Sequence, residues 1–197
     1  MDSSATTASG VDTASSDETL LARYRAGDGP AFEVLYQRHR RGLYGFLLGV
    51  SGKAESAEEV YQDTWLSLIR STTQPEGRAN FRTWLYQIAR HRLIDYWRKH
   101  GIRYPLHDSY DEQLHSVLDD TASPEQLLSL SRDSERLEAA LQALPADQRE
   151  VFLLRVHGEL DLPQIATLTE TPLETVKSRL RYAQQKLRRL LAEEVIT

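Results

Sequence analysis

The sequence predicts an all-helical fold: two helical domains joined by an acidic, flexible linker. Three observations lead there. Apolar residues recur at helical spacing along most of the chain, no stretch sustains the period of two that a strand needs, and a segment rich in acid, with Gly and Pro, interrupts the helices near the middle. A length of 197 residues is enough for one or two domains, each with its own core.

The elements follow in order. Residues 1–16, Ser/Thr/Ala-rich with acids as their only charges, read as a disordered tail, and with no basic start or apolar run they are no signal peptide. "DETLLARYRAG" is expected to be a helix capped by Asp17 and stopped at Gly27. The next starts near Pro30 and sets Phe32, Leu35, Tyr36, Leu43 and Phe46 on one side. "SAEEVYQDTWLSLIR" opens with Ser56 and Glu59 in capping-box spacing, with Ala57, Val60, Tyr61, Thr64 and Leu68 as its buried side. A polar loop containing Pro75 and Gly77 leads to "FRTWLYQIARHRLIDYWRK", whose Phe81, Trp84, Leu85 and Ile88 form a core stripe. These four helices make a first domain, 17–101. Residues 102–122 read as linker. In the second domain, 123–197, Ser123 caps and Pro124 takes the first helical position; four more helical segments follow. The last two, a short helix and a longer basic one joined by "TET", have the outline of a helix-turn-helix.

Charge is distributed unevenly. The net is −5, which taken alone argues against a polyanionic partner. Yet residues 19–101 carry 13 Lys/Arg against 8 Asp/Glu, residues 102–134 carry 2 against 7, and residues 177–189 hold six bases with no acid. Two basic stripes flank an acidic spacer, and that pattern suits nucleic-acid binding. With no cysteine, disulfides and thiolate metal sites are excluded, and a reducing cytoplasm fits. No apolar run approaches membrane-spanning length. Scattered histidines, with His91 and Asp95 at i, i+4 as the near-pair on a predicted helix, together with the lack of a phosphate loop or nucleophile elbow, leave catalysis without candidates and imply no cofactor.

Two helix faces remain to be explained. In the last helix, Leu173, Val176, Leu180, Ala183, Leu187 and Leu190 form an apolar stripe. Glu174, Ser178, Arg181, Tyr182 and Gln185 lie opposite, flanked by Lys177 and Arg179. Such an array suits a major-groove helix. On the 56–70 helix, Glu59, Gln62, Asp63 and Leu66 point outward, a leucine among acids, which suits docking to a basic protein.

Three segments resemble a known family, the extracytoplasmic-function sigma factors of the sigma-70 superfamily, the minimal sigma subunits of bacterial RNA polymerase. "SAEEVYQDTWLSLIR" is similar to its core-binding region 2.2, "FRTWLYQIARHRLIDYWRK" to regions 2.3–2.4, and "ALPADQREVFLLR…QIATLTETPLETVKSRLRYAQQKLR" to region 4. The resemblance implies a non-enzymatic initiation factor that binds core polymerase through its β′ clamp coiled-coil and β flap, binds promoter DNA, and can be held by an anti-sigma factor without membrane insertion. It implies polymerase binding by Glu58, Glu59, Gln62, Asp63 and Leu66. Contacts to the −10 element fall to Arg78, Asn80, Arg82, Arg90, His91, Asp95, Arg98 and Lys99, with the 71–80 loop capturing a flipped base. Contacts to the −35 element fall to Thr175, Lys177, Ser178, Arg179, Arg181 and Tyr182. By the same resemblance the linker acids Asp108, Asp111, Glu112, Asp119 and Asp120 lie along the path of nascent RNA.

Two departures stand out. His91 replaces the family's usual Asn, and Thr169-Glu170-Thr171 replaces Leu-Gly-Val in the region 4 turn, where Gly takes a left-handed conformation cheaply and Glu does not. Two alternatives from other classes are a helical interaction adaptor and a one-component helix-turn-helix regulator.

Overall fold

The computed structural model describes residues 14–71, 80–102 and 134–193. The expected Ser123 cap, the linker acids and Arg78 with most of its loop lie outside the described residues. Every regular element among the described residues is a helix: α1 (Asp17–Arg25), α2 (Gly29–Ser51), α3 (Ala54–Arg70), α4 (Phe81–Lys99), α5 (Ser134–Gln142), α6 (Ala146–Val156), α7 (Leu162–Thr169) and α8 (Leu173–Glu193). The chain forms two compact units that divide between Arg41 and Gly42, inside α2.

In the first unit Ser16, not Asp17, caps α1, accepting from the Thr19 amide. Asp17 takes a different role. Its carboxylate receives Arg38 Nη1 and His39 Nε2, each at 2.7 Å. Burial disfavours the ionised form of Asp17, but these two hydrogen bonds and charges together outweigh it and hold its pKa below the ordinary value. Leu20, Leu21, Ala31 and Leu35 are buried, and Tyr24 and Phe32 pack with ring centroids 4.9 Å apart.

The second unit holds everything from Gly42 on. Leu43, Phe46, Leu47 and Val50 of α2 are buried, and the Phe46 ring meets Tyr86 of α4 edge-on at 5.3 Å. Helix α3 starts at Ala54 with Lys53 as its N-cap and no side-chain cap bond. The expected Ser56–Glu59 capping box is therefore not formed; Ser56 is buried and donates to Tyr96 Oη at 3.0 Å. Of its expected buried side, Ala57, Val60, Thr64 and Leu68 are inside, Tyr61 is half-buried, and Trp65 joins them. Helix α4 has the expected bounds, with Asn80 as a side-chain N-cap accepting from the Arg82 amide. Ile88 is only half-buried, while Tyr86, Ala89, Leu93 and Trp97 complete the buried face. All three tryptophans, Trp65, Trp84 and Trp97, sit in α3 and α4, each no more than 9% exposed.

Helices α5 to α8 enclose a separate set of buried side chains, among them Leu144, Val151, Phe152, Leu153, Leu154, Ile165, Val176, Ala183 and Leu187. Asp161 and Gln164 form a reciprocal capping box at the start of α7. The turn to α8 keeps its shape without glycine: Glu170 adopts φ 54°, ψ 39°, the left-handed region. Thr171 N–H reaches back to Ala166 O at 3.0 Å, and the Thr169 and Thr171 hydroxyls donate to Ile165 O and Thr169 O. Against expectation Leu173 at the start of the α8 stripe is exposed, and Leu180 and Leu190 are half-buried.

Candidate nucleic-acid and partner interface

Helix α3 presents an outward face of one chemistry. Glu58, Gln62, Asp63 and Leu66 are exposed and Glu59 half-exposed; Leu66 and Ile69 each keep 43% of their surface in water. Ile69 was missed from sequence, although it stands at i+3 from Leu66 and so extends the same outward stripe. Two large apolar side chains one turn apart, rimmed by carboxylates, form the anchor-and-rim pattern of a protein-binding surface. Lys99 Nζ reaches Glu59 Oε1 at 3.3 Å from the end of α4, an exposed pair.

The basic residues of α4 divide into two groups. His91, Arg98 and Lys99 are exposed and Asn80 is committed to its cap. Asp95 pairs with Arg92 at 3.3 Å. Arg82 and Arg90 instead reach carboxylates from the second half of the chain: Arg82 pairs with Glu159, and Arg90 Nε donates to Glu150 Oε1 at 3.0 Å. Glu150 is buried, which pushes its pKa up; the charges of Arg90 and Arg179 pull the other way without cancelling that rise. Of the aromatic pair at the end of the helix, Trp97 is core, and Tyr96 stacks on His100 with ring centroids 4.1 Å apart.

On α8, Lys177 and Arg181 are exposed, Ser178, Tyr182 and Thr175 half-exposed. Lys177 pairs with Glu174 at 2.7 Å, and the Arg181 guanidinium lies 5.1 Å from the Tyr182 ring centroid. Arg179 faces inward, paired with Asp147 at 2.8 Å and donating to Thr171 Oγ1. It shares an open cleft of about 590 Å³ with Arg90, His91, Arg98, Glu150 and Glu170. The arrangement thus offers two cationic helices and one acidic-apolar helix, with several of the cations engaged internally. None of the described helices is long and apolar enough to cross a membrane.

Comparison with known proteins decides what these faces belong to. The sequence profile of Sigma-70 region 2 matches residues 35–102, and that of Sigma-70 region 4 matches residues 134–187. The chain is 32% identical over 178 residues to the ECF RNA polymerase sigma factor SigM of Mycobacterium tuberculosis, covering 89% of this chain and 85% of that protein. The chain belongs to the extracytoplasmic-function sigma factors. This sigma factor is also 28% identical to the RNA polymerase sigma-H factor of Pseudomonas aeruginosa, over 89% of this chain and 93% of the relative. Among solved structures it is similar to the sigma factor RpoE of Bartonella quintana in complex with the anti-sigma factor NepR, with TM-score 0.62, 27% identity, and 82% of this chain and 96% of that one covered. As a sigma factor it is a transcription initiation factor that directs polymerase to promoters.

Proposed function

We propose that this sigma factor docks on the basic coiled-coil of the polymerase β′ clamp through the outward face of α3, with Glu58, Glu59, Gln62, Asp63, Leu66 and Ile69 as contacts. Residues 17–101 then act as the domain that reads the −10 element along α4, through Asn80, Arg82, Arg90, His91, Asp95, Arg98 and Lys99 with Arg78 in the preceding loop. Residues 123–197 carry the −35 reading helix α8, through Thr175, Lys177, Ser178, Arg179, Arg181 and Tyr182, and meet the β flap. The protein catalyses nothing itself, works in the cytoplasm, and an anti-sigma factor controls it, as NepR binds the Bartonella quintana relative.

The observation that carries this reading is the separation of chemistries: exposed Leu66 and Ile69 among acids on α3, against cations on α4 and α8. A polymerase coiled-coil of basic character complements the first, and phosphates complement the second. Charge reversal separates the roles. Glu59→Lys with Asp63→Lys abolishes capture of core polymerase, because two reversed charges facing several cations cost on the order of a few kcal/mol. Lys177→Glu with Arg181→Glu leaves capture intact but stops run-off transcription from a −35-dependent promoter, since each lost base or phosphate contact costs about 1–3 kcal/mol. Wild-type chain that fails to start transcription with core polymerase, or a normal capture by the first double variant, contradicts the assignment.

A further inference from the structure

Several of the α8 side chains assigned above to the −35 element are already committed within the protein. Arg179 turns inward to Asp147 and Thr171, and the Ser178 hydroxyl donates to Glu174 O at 2.9 Å. The Arg181 guanidinium lies against the Tyr182 ring, with Nη2 3.4 Å from its Oη. The first turn is open instead: Pro172, Leu173 and Glu174 are all exposed. Glu174 is an unexpected residue for a helix that meets phosphates. Between it and Glu193 at the far end, α8 carries six bases and no acid.

Glu174 Oε1 accepts from Lys177 Nζ at 2.7 Å, while the two side chains keep 83% and 49% of their surface in water. At about 100° per residue, Glu174, Lys177 and Arg181 fall within about 60° of one another, on the side away from buried Val176, Ala183 and Leu187. An ammonium has three donors and a carboxylate about four acceptor positions, so one mutual bond leaves free donors and free acceptors side by side. The pair has no net charge, and so lacks the repulsion that a lone carboxylate meets from phosphates flanking a groove. A G·C pair shows the complementary edge. Guanine O6 and N7 accept, cytosine N4 donates, and O6 and N4 are the two ends of one base-pairing hydrogen bond, about 2.9 Å apart. A donor and an acceptor 2.7 Å apart on α8 therefore match an acceptor and a donor on the base pair. An A·T pair also sets a donor beside an acceptor, but there adenine N6 separates N7 from thymine O4, and Lys177 cannot bridge two acceptors.

We propose that Glu174 and Lys177 read one G·C pair of the −35 element as a unit, Lys177 donating to guanine O6 and N7 and Glu174 accepting from cytosine N4. The proposal rests on the assignment of α8 to the −35 element, and adds to it a base-specifying acid outside the set named above. The competing role for Glu174 is structural. An acid in the first turn complements the helix dipole and an i, i+3 ion pair supports the helix, both without regard to DNA sequence.

Base preference separates the two roles. The full-length chain with core polymerase transcribes a pool of promoters randomised across the −35 element, and the transcribed templates are sequenced. In the wild type one position favours G·C by about tenfold. Glu174→Gln moves that position toward A·T, because a glutamine amide both accepts from and donates to adenine, while the other positions keep their preferences. Glu174→Ala, compatible with the helix because alanine is its best former, is the second variant and lowers the G·C preference severalfold. Lys177→Arg retains it, since arginine also bridges O6 and N7. A structural role lowers transcription evenly on all templates, so unchanged base preference in both Glu174 variants overturns the proposal. A wild-type −35 element with no G·C position overturns it as well. A wild type indifferent to the whole −35 element is a different result, which strikes the assignment of α8 and the proposal with it.

Discussion

Replacing Leu66 and Ile69 by alanine tests the polymerase-docking face where its energy is concentrated. Each side chain keeps 43% of its surface exposed in the free protein. Fully burying a large aliphatic side chain stabilises by about 1.5–3 kcal/mol, so the exposed share is worth about 0.6–1.3 kcal/mol apiece when a partner covers it. Alanine retains the Cβ, which brings the loss for the pair to roughly 1–2 kcal/mol. That corresponds to about a five- to thirty-fold weaker complex. The larger share of each side chain is covered in the free chain, so the double variant also loses folding stability, by about 1–3 kcal/mol on the same scale. A fluorescence titration of labelled chain with core polymerase reads the first quantity and a thermal melt the second. Ile102→Ala, equally exposed at 43% but beyond the end of α4, is the matched control and leaves affinity unchanged. Wild-type affinity in the Leu66/Ile69 double variant would mean that these side chains stay wet in the complex, and the docking face would have to be sought elsewhere.

Glu170→Gly relieves a left-handed residue and raises stability by about 0.5–1 kcal/mol after the extra chain entropy of glycine is counted; a lower melting temperature would show that the Glu170 side chain repays its backbone. Asp17→Asn removes a carboxylate held by Arg38 and His39 and costs about 1–2 kcal/mol at neutral pH. Since the folded pKa of Asp17 is lowered, its contribution is full above the ordinary value of 3.8 and is lost as pH falls through the folded value. A wild-type acid melting curve in the variant argues against that network. Glu150 has the opposite sign. Its folded pKa is raised above 4.5, so the stability tied to it is full below that value and declines as pH rises through the folded one. Glu150→Gln therefore gains on the wild type as pH is increased across that window in denaturant titrations, and a constant difference between the two proteins would contradict the burial argument.

Much of this was legible in the sequence, for identifiable reasons. Helix α4 has the expected bounds because Asn80 caps it with its own side chain and Gly101, at φ 64°, follows its end. The α3 cap failed because a serine at capping-box spacing carries the same signal whether it caps or, as Ser56 does, reaches a tyrosine forty residues away. Leu173 was placed in the core by period alone, but it opens α8 directly after Pro172, at the edge of what α6 and α7 can cover. The internal partners of Arg82, Arg90 and Arg179 were out of reach, since which acid meets which guanidinium depends on how distant helices pack. Gly42, Gly45 and Gly49 of α2 did leave a trace. Their i, i+3, i+7 spacing on a helix announces a close neighbour, though not that His157 and Leu153 fill the room.

The placement of the tryptophans gives the protein an internal optical probe. All three are in α3 and α4, and α5 to α8 have none. Indole emission therefore monitors only the helices of the first family match, while far-ultraviolet ellipticity averages over both. In a chain whose halves melt as one cooperative unit the two signals share a midpoint; once the halves are uncoupled, they part. A single unlabelled sample, heated once with both detectors, thus distinguishes one folding unit from two.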